Sequence, residues 1–263
     1  MQIKGSTVLL TGATGGIGHA IARALGARGA SLILTGRRSE VLAPLAEQLG
    51  ARSIAVDLSE PEEIDRLVEE AGHVDILVAN AALPASGLLD GFTVEEIDRA
   101  LDVNLRAPIV LTHALTPAMV SRRSGHLLYI SSLSGKVAAP GASIYNATKF
   151  GLRGFAAAMR AELRSSGVGV SSVFPGFIRD AGMFADAEVD LPPGVGTRSP
   201  EDVAEAVVSG IERNHGEVDV APLSLRASAM FAGIAPELTA TMARRLGAEE
   251  ISRKMEAGQR DKR

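Results

Sequence analysis

Thr7-Val8-Leu9-Leu10-Thr11-Gly12-Ala13-Thr14-Gly15-Gly16-Ile17-Gly18 is the stretch whose reading decides the fold. Its first four residues form a short apolar run of strand character, and the glycines follow at once. Beyond them Ile17, Ile21, Ala24 and Leu25 recur on one helical face. Strand, glycine turn and helix in this order form the context in which backbone N–H groups and a helix N-terminus hold a pyrophosphate. Glycine is required there because a side chain would block the ligand or the packing of helix on strand. A purely structural tight turn uses glycine too, so the neighbouring segments have to decide.

Working outward, residues 32–35 read as the next strand, ending in Gly36-Arg37-Arg38. Where dinucleotide folds carry an acidic residue for the ribose 2′-OH of NAD, or arginine for the 2′-phosphate of NADP, this chain has two arginines and no acid. NADP(H) is therefore the preferred cofactor and NAD(H) a possible one, with solvated surface charge as the alternative reading of Arg37 and Arg38. The alternation continues with a helix over 41–49, a strand over 53–56 ending at Asp57-Leu58, a helix over 61–71, and a strand over 75–79 closing in Asn80-Ala81-Ala82. Repeated apolar strands and amphipathic helices predict a three-layer, doubly wound α/β fold with a predominantly parallel, seven-stranded sheet. In such sheets ligands sit beyond the carboxyl ends of the strands. Gly12, Arg37, Asp57, Asn80, Ser131 and Pro175 all fall at predicted strand ends.

Residues 94–121 read as mostly helical and contain Asn104, with Pro108 leaving a boundary or kink open. A strand over 127–130 leads into Ser131-Ser132-Leu133-Ser134-Gly135. Tyr145-Asn146-Ala147-Thr148-Lys149 then opens a helix whose apolar positions are Leu152, Phe155, Met159 and Leu163. Positions four apart share a helix face, so a phenol and an ammonium stand together. Such a charge lowers a phenol's pKa from its ordinary value of about 10. An ordinary helix surface would carry the same pair for solvation. A sixth strand over 170–174 precedes Pro175-Gly176-Phe177-Ile178; the segment 180–199, rich in glycine and proline, is expected to be a substrate loop or lid. A helix over 200–213 and a seventh strand over 217–221 follow.

The domain is expected to span 1–223, with 224–263 as a helical extension packing on the same domain or on a partner subunit. Its stripe is Met230, Phe231, Ile234, Leu238, Met242 and Leu246, interrupted near Pro236. The basic residues Arg244, Arg245, Arg253 and Lys254 leave a membrane-surface contact as the less favoured alternative.

Across 263 residues, a hydrophobic fraction of 46% and a charged fraction of 22% are ordinary for a globular chain able to bury a substantial core. A formal net charge of −4, with no basic cluster interleaved with aromatics, argues against nucleic acid. The absence of cysteine excludes disulfides, thiolate metal sites and cysteine nucleophiles. No signal-peptide pattern follows Met1-Gln2-Ile3-Lys4 and no apolar run matches a bilayer, so a cytoplasmic location is expected.

Taken in order, the Thr11–Gly18 glycine motif, Asn80-Ala81-Ala82, Asn104, Ser132, the Tyr145-to-Lys149 segment and Pro175-Gly176 resemble the short-chain dehydrogenase/reductase family over roughly residues 4 to 222. The resemblance implies a Rossmann-like domain, a nicotinamide cofactor and a catalytic group of Asn104, Ser132, Tyr145 and Lys149. It also implies cofactor contacts from Gly12, Thr14, Gly15, Gly16, Ile17, Gly18, Arg37, Arg38, Asp57, Leu58, Asn80, Ala81, Ala82, Tyr145, Lys149, Pro175, Gly176 and Ile178. Tyr145 would exchange the proton, Ser132 would polarise the carbonyl, Lys149 would lower the tyrosine pKa and bond the nicotinamide ribose, and Asn104 would hold a water. Two departures stand out: Ala79-Asn80-Ala81-Ala82 replaces the usual Asn-Asn-Ala-Gly, and Asp180 stands where relatives often have threonine.

Met183, Phe184, Val189, Leu191 and Val195 of the lid, with Leu83, Pro84, Leu133, Val137 and Phe177, favour a hydrophobic secondary alcohol or ketone. The competing readings are a catalytically silent NADP(H)-binding sensor or scaffold, and a nicotinamide-assisted epimerisation or dehydration. Relatives commonly pair through the long helices, which implies a homodimer or homotetramer; Ala156, Ala157 and Ala158 would permit close helix approach.

Overall fold

Strand β1 (Thr7–Leu10) buries Val8, Leu9 and Leu10 completely, which a strand can do only when both faces of its sheet are covered. It pairs in parallel with β2 (Ser31–Gly36) on one side and β4 (Ile76–Ala79) on the other, Leu10 standing opposite Leu34 and Val78. With β3 (Arg52–Ala55), β5 (Gly125–Ile130), β6 (Val168–Pro175) and β7 (Glu217–Val220), the sheet runs 3-2-1-4-5-6-7 and every pairing is parallel. The chain therefore winds outward from β1 in one direction and then, from β4, in the other. Between β1 and β4 the loops diverge and leave a crevice at the strands' carboxyl ends. The computed structural model describes residues 1–185, 191, 195–235, 237–239, 241 and 248–259.

The connecting helices are α1 (Gly16–Ala27), α2 (Ser39–Leu49), α3 (Pro61–Ala71), α4 (Val94–Leu101), α5 (Ala107–Ser121), α6 (Ser143–Glu162), the short α7 (Gly182–Ala185) and α8 (Pro200–Arg213). Two apolar layers result. One packs Ile21 and Leu25 of α1 with Val207 and Ile211 of α8, and the other packs Ile64, Leu67, Leu111 and Leu115 with Tyr129. Local signals set the helix starts. Pro61 and Pro200 occupy first turns, where a missing N–H costs nothing, and Ser199 with Asp202 forms a capping box at α8.

The expected helix over 94–121 is two helices joined by a π turn at Asp102–Arg106. Pro108 sits in the first turn of α5 and breaks nothing, while the wider turn places Asn104 inward at 1% exposure. π turns of this kind recur at functional sites.

Helix α9 (Leu223–Ile234) opens the helical extension. Its buried residues are Ala229 and Ala232, whereas Met230 and Ile234 are 74% and 82% exposed and Phe231 and Leu238 also face outward. Alanines on the inner face let the helix lie close to the domain, and the larger apolar side chains consequently point away from it. The remaining stripe positions Met242 and Leu246, with Pro236, Arg244 and Arg245, lie outside the described residues, as does Val189 of the lid. The last described helix is α10 (Ala248–Gln259). No described helix is long and apolar enough to cross a membrane.

Candidate active site

A cleft of about 1080 Å³ opens along the carboxyl ends of the strands, and all the residues expected to touch a cofactor line it. Its floor is the glycine turn, which a small polar lock holds in place. The Thr11 hydroxyl accepts the N–H groups of Asn80 and Ala81 at 3.0 Å each, and Asn80 Nδ2 donates to the carbonyls of Thr11 and Gly12 at 3.0 Å each. The Asn80 side chain thus positions the turn, which is why the departures at Ala79 and Ala82 leave it intact.

The glycines serve different needs. Gly12 has φ +67°, and a Cβ there would lie 2.6 Å from Ala81 Cα; a Cβ on Gly18 would lie 2.2 Å from the Gly12 carbonyl oxygen. Gly16 meets Ala181, whose Cβ would be 2.4 Å away. Gly15 alone of the four has room, since the nearest atom to its Cβ position is 3.8 Å off, and its φ of −88° suits any residue. No side chain caps α1, and no acidic residue stands in its first turn. A bare helix N-terminus with open space over Gly15 fits a dinucleotide's pyrophosphate in charge and in shape.

Arg37 and Arg38 stand at the rim. Arg38 donates to the Thr14 carbonyl at 2.8 Å, bracing the turn, and Arg37 lies 3.8 Å from Asp57. Burial works to raise the Asp57 pKa, but the two hydrogen bonds from Ser59 and the charges of Arg99 and Arg37 together hold it below the ordinary carboxylate range. Asp57 is therefore ionised at neutral pH, and Arg37 lies beside an anion while still half exposed.

The second wall holds Ser132, Tyr145 and Lys149. α6 starts two residues before Tyr145, so Tyr145 and Lys149 sit one turn apart, both facing the cleft. Lys149 is 2% exposed; its Nζ donates to the Ile130 carbonyl at 3.1 Å and lies 5.5 Å from the Tyr145 ring centre. Burial brings the ammonium down to a pKa of about 8. The same removal from water pushes the Tyr145 phenol up to about 12, against a hydrogen bond with the Ser132 hydroxyl that favours the anion. Desolvation dominates the phenol's pKa, and the ammonium's hydrogen-bond partner is the Ile130 carbonyl.

Ser132 accepts the Ser134 N–H at 3.1 Å, with the Pro175 carbonyl 3.5 Å from its Oγ. Asn104 is placed differently from the other three. It does not line the cleft; its Oδ1 accepts the Leu83 N–H at 2.6 Å and its Nδ2 donates to the Leu83 carbonyl at 2.9 Å.

One positioning residue was missed. Asn146, between the tyrosine and the lysine, donates to the carbonyls of Ser134 and Val137 at 2.6 and 3.0 Å and accepts the Ala139 N–H at 3.3 Å. It fastens the serine loop to α6, and a polar amide at a helix position facing the core was the available signal. Gly135 allows the approach, since a Cβ there would stand 2.7 Å from the Lys149 carbonyl oxygen.

Farther out, Leu83, Pro84, Leu133, Val137, Phe177, Met183, Phe184 and Val195 form an apolar lobe of the same cleft, with the Phe177 and Phe184 rings 5.0 Å apart. Leu191 does not line it. Asp180, at φ +66°, lines the cleft beside Arg179 at 3.3 Å. Met255 and Gln259 of α10 reach the lobe as well, for which sequence reasoning had no signal.

A family model described as short chain dehydrogenase matches residues 6–191. The ketoacyl reductase HetN of Nostoc sp. is 37% identical over 227 residues, spanning 83% of this chain and 79% of that one. Among solved structures, a short-chain dehydrogenase from Sphingobium yanoikuyae in complex with NADPH superposes with a TM-score of 0.77 at 28% identity, covering 89% of this chain and 95% of the other. The 3-ketoacyl-(acyl-carrier-protein) reductase from Brucella melitensis complexed with NADH gives 0.74 at 26% identity, covering 83% and 97%.

Proposed function

The chain belongs to the short-chain dehydrogenase family and is an NAD(P)-dependent oxidoreductase of CH–OH and C=O groups; from that premise we propose that it interconverts a hydrophobic secondary alcohol and ketone, prefers NADP(H), and uses Tyr145 as general acid and base. The observation that carries this reading is that Ser132, Tyr145 and buried Lys149 line one cleft with the glycine turn and the apolar lobe, Lys149 Nζ lying 5.5 Å from the Tyr145 ring centre. A bound nicotinamide supplies or accepts the hydride. The chain's residues do the rest. The N-terminus of α1 and the open face of Gly15 hold the pyrophosphate, and Arg37 and Arg38 take the 2′-phosphate. Ser132 donates to the substrate oxygen and stabilises the charge developing there, while Tyr145 gives that oxygen its proton. Lys149 keeps two N–H donors beyond the one on Ile130, enough to reach a phenolate and a ribose hydroxyl. Both ends of the Asn104 amide are bonded to Leu83, so this side chain braces the segment after Ala82.

A phenol near 12 is protonated at neutral pH, the form that gives its proton in carbonyl reduction. That agrees with the ketoacyl reductases among the relatives, so 3-oxoacyl thioesters and apolar ketones are the substrates to try first. Followed by NADPH absorbance, at least one of these should turn over, with kcat/KM for NADPH about tenfold or more above NADH. Arg37→Ala should remove most of that ratio by weakening NADPH alone, because a charge-assisted bond to the 2′-phosphate is worth about a factor of ten or more. Equal rates with both cofactors would remove the NADP(H) preference. Cofactor binding without turnover of any ketone would favour the sensor reading.

The reduction should also have a pH limb. Lys149 is charged below about 8 and neutral above it, whereas Tyr145 keeps its proton to about 12. kcat/KM should therefore be flat on the acid side of 8 and fall as pH rises through it, through loss of the ammonium and not of the phenol. A flat profile from pH 7 to 10 would show that Lys149 does not act through its charge.

As a homo-oligomer, the protein would pair through α5 and α6, covering Val120 and Phe150, which are 37% and 42% exposed.

A further inference from the structure

Helix α10 ends at the cleft, and its last residue, Gln259, is 1% exposed. An amide is rarely so buried unless its polar atoms are bonded. Its nitrogen is: Nε2 donates to the Met183 carbonyl at 2.9 Å and lies 3.9 Å from Met255 Sδ. A carbonyl can only accept, so the atom facing Met183 must be the nitrogen, and the amide orientation is determined. Its oxygen, Oε1, is buried with no hydrogen-bond partner among the described residues. Gln259, Met255 and Met183 all line the apolar lobe. One half of the amide ties α10 to the lid helix α7, and the other is an acceptor with nothing to accept among the described residues.

Resting on the reading of this lobe as the substrate pocket, we propose that Gln259 is a specificity residue whose Oε1 accepts a hydrogen bond from a neutral O–H or N–H of the substrate, at a group separate from the reacting carbonyl. An orphaned acceptor in an apolar wall discriminates strongly, because a ligand that brings a donor satisfies it and one that lacks the donor leaves it desolvated. The substrate class is thus a ketone or alcohol with a largely apolar body and one further donor, such as a hydroxyl or a secondary amide. A tail ending in a carboxylate presents only acceptors to Oε1 and is disfavoured. A purely structural Gln259 would need only its nitrogen.

The test uses two ketones of equal length, one ending in a secondary amide and the other in its N-methyl derivative, titrated calorimetrically into the full chain saturated with NADP⁺ so that no reduction occurs. The wild type should bind the N–H compound about tenfold or more tightly. Gln259→Leu and Gln259→Met should bring the ratio to about one while leaving the N-methyl compound's affinity unchanged. An unchanged ratio in both variants, no preference in the wild type, or failure of the wild type to bind either ketone overturns the proposal. A parallel loss of both ligands in the variants overturns it too, by reducing Gln259 to a tether for α10. The catalytic reading fails separately. Turnover of both ketones with NADPH but no preference between them sinks Gln259 alone, and a binding preference that Gln259→Leu abolishes, without turnover of either, sinks the reduction alone.

Discussion

Tyr145→Phe should lower ketone reduction by about a thousandfold and leave NADPH affinity within a factor of about two. The substitution removes one oxygen and keeps the ring, so the packing around α6 and the position of Lys149 are preserved. General acid catalysis by a positioned group contributes roughly 10²–10⁴-fold, and Tyr145 lines the cleft together with Ser132 and Lys149. Among the described residues no other phenol lines the cleft. Lys149 is partnered by the Ile130 carbonyl, and the second tyrosine, Tyr129, is fully buried and bonded to Thr112 at 2.8 Å. The chain has no tryptophan, so the fluorescence of NADPH itself reads binding against little background. Wild-type turnover in Tyr145→Phe would end the assignment of the proton to this residue.

Gly18→Ala and Gly15→Ala should part company in opposite ways. At Gly18 the added methyl would stand 2.2 Å from the Gly12 carbonyl oxygen and 2.8 Å from Ala13 Cα, both backbone atoms that cannot swing aside. Overpacking of this kind costs about 1–3 kcal/mol, so melting should drop by several degrees, and the displaced turn should lose the cofactor. At Gly15 the methyl meets protein no closer than 3.8 Å, and loss of an uncapping glycine costs less than about 1 kcal/mol. Melting without cofactor should hardly move, yet NADPH should bind about tenfold or more weakly because the methyl projects where the pyrophosphate must approach. Thermal melts and NADPH titrations on both variants decide it. Unchanged affinity in Gly15→Ala would move the pyrophosphate elsewhere, and an unchanged melt in Gly18→Ala would deny the close contact of helix on turn.

What the sequence made legible is what neighbours in the chain determine. Val8 to Leu10 could only be a doubly covered strand, the glycines declared the turn after it, and Tyr145 and Lys149 needed nothing beyond the pitch of a helix to meet on one face. The rest depends on partners far away in the chain. The π turn at Asn104 accompanies a pair of hydrogen bonds to Leu83, and the clamp made by Asn146 depends on where Ser134 and Val137 come to lie. For Tyr145, proximity to Lys149 can be read from spacing, whereas the desolvation that pushes its pKa up requires the assembled wall. The tail stripe left open whether it packs on this domain or on a partner subunit, and only the fold shows that Ala229 and Ala232 are the buried positions of α9. Gln259 carries no motif at all, and only the placement of α10 against Met183 gives its oxygen a meaning.

The central claim is that this cleft joins a hydride from the nicotinamide to a carbonyl carbon while Tyr145 supplies the proton to its oxygen. Reduction of a ketone with NADPH deuterated at both C4 positions, in ordinary water, followed by mass spectrometry of the alcohol, tests it most directly. One deuterium per molecule, fixed at the carbinol carbon and not exchangeable with solvent, is the predicted result; an alcohol carrying no deuterium would contradict it.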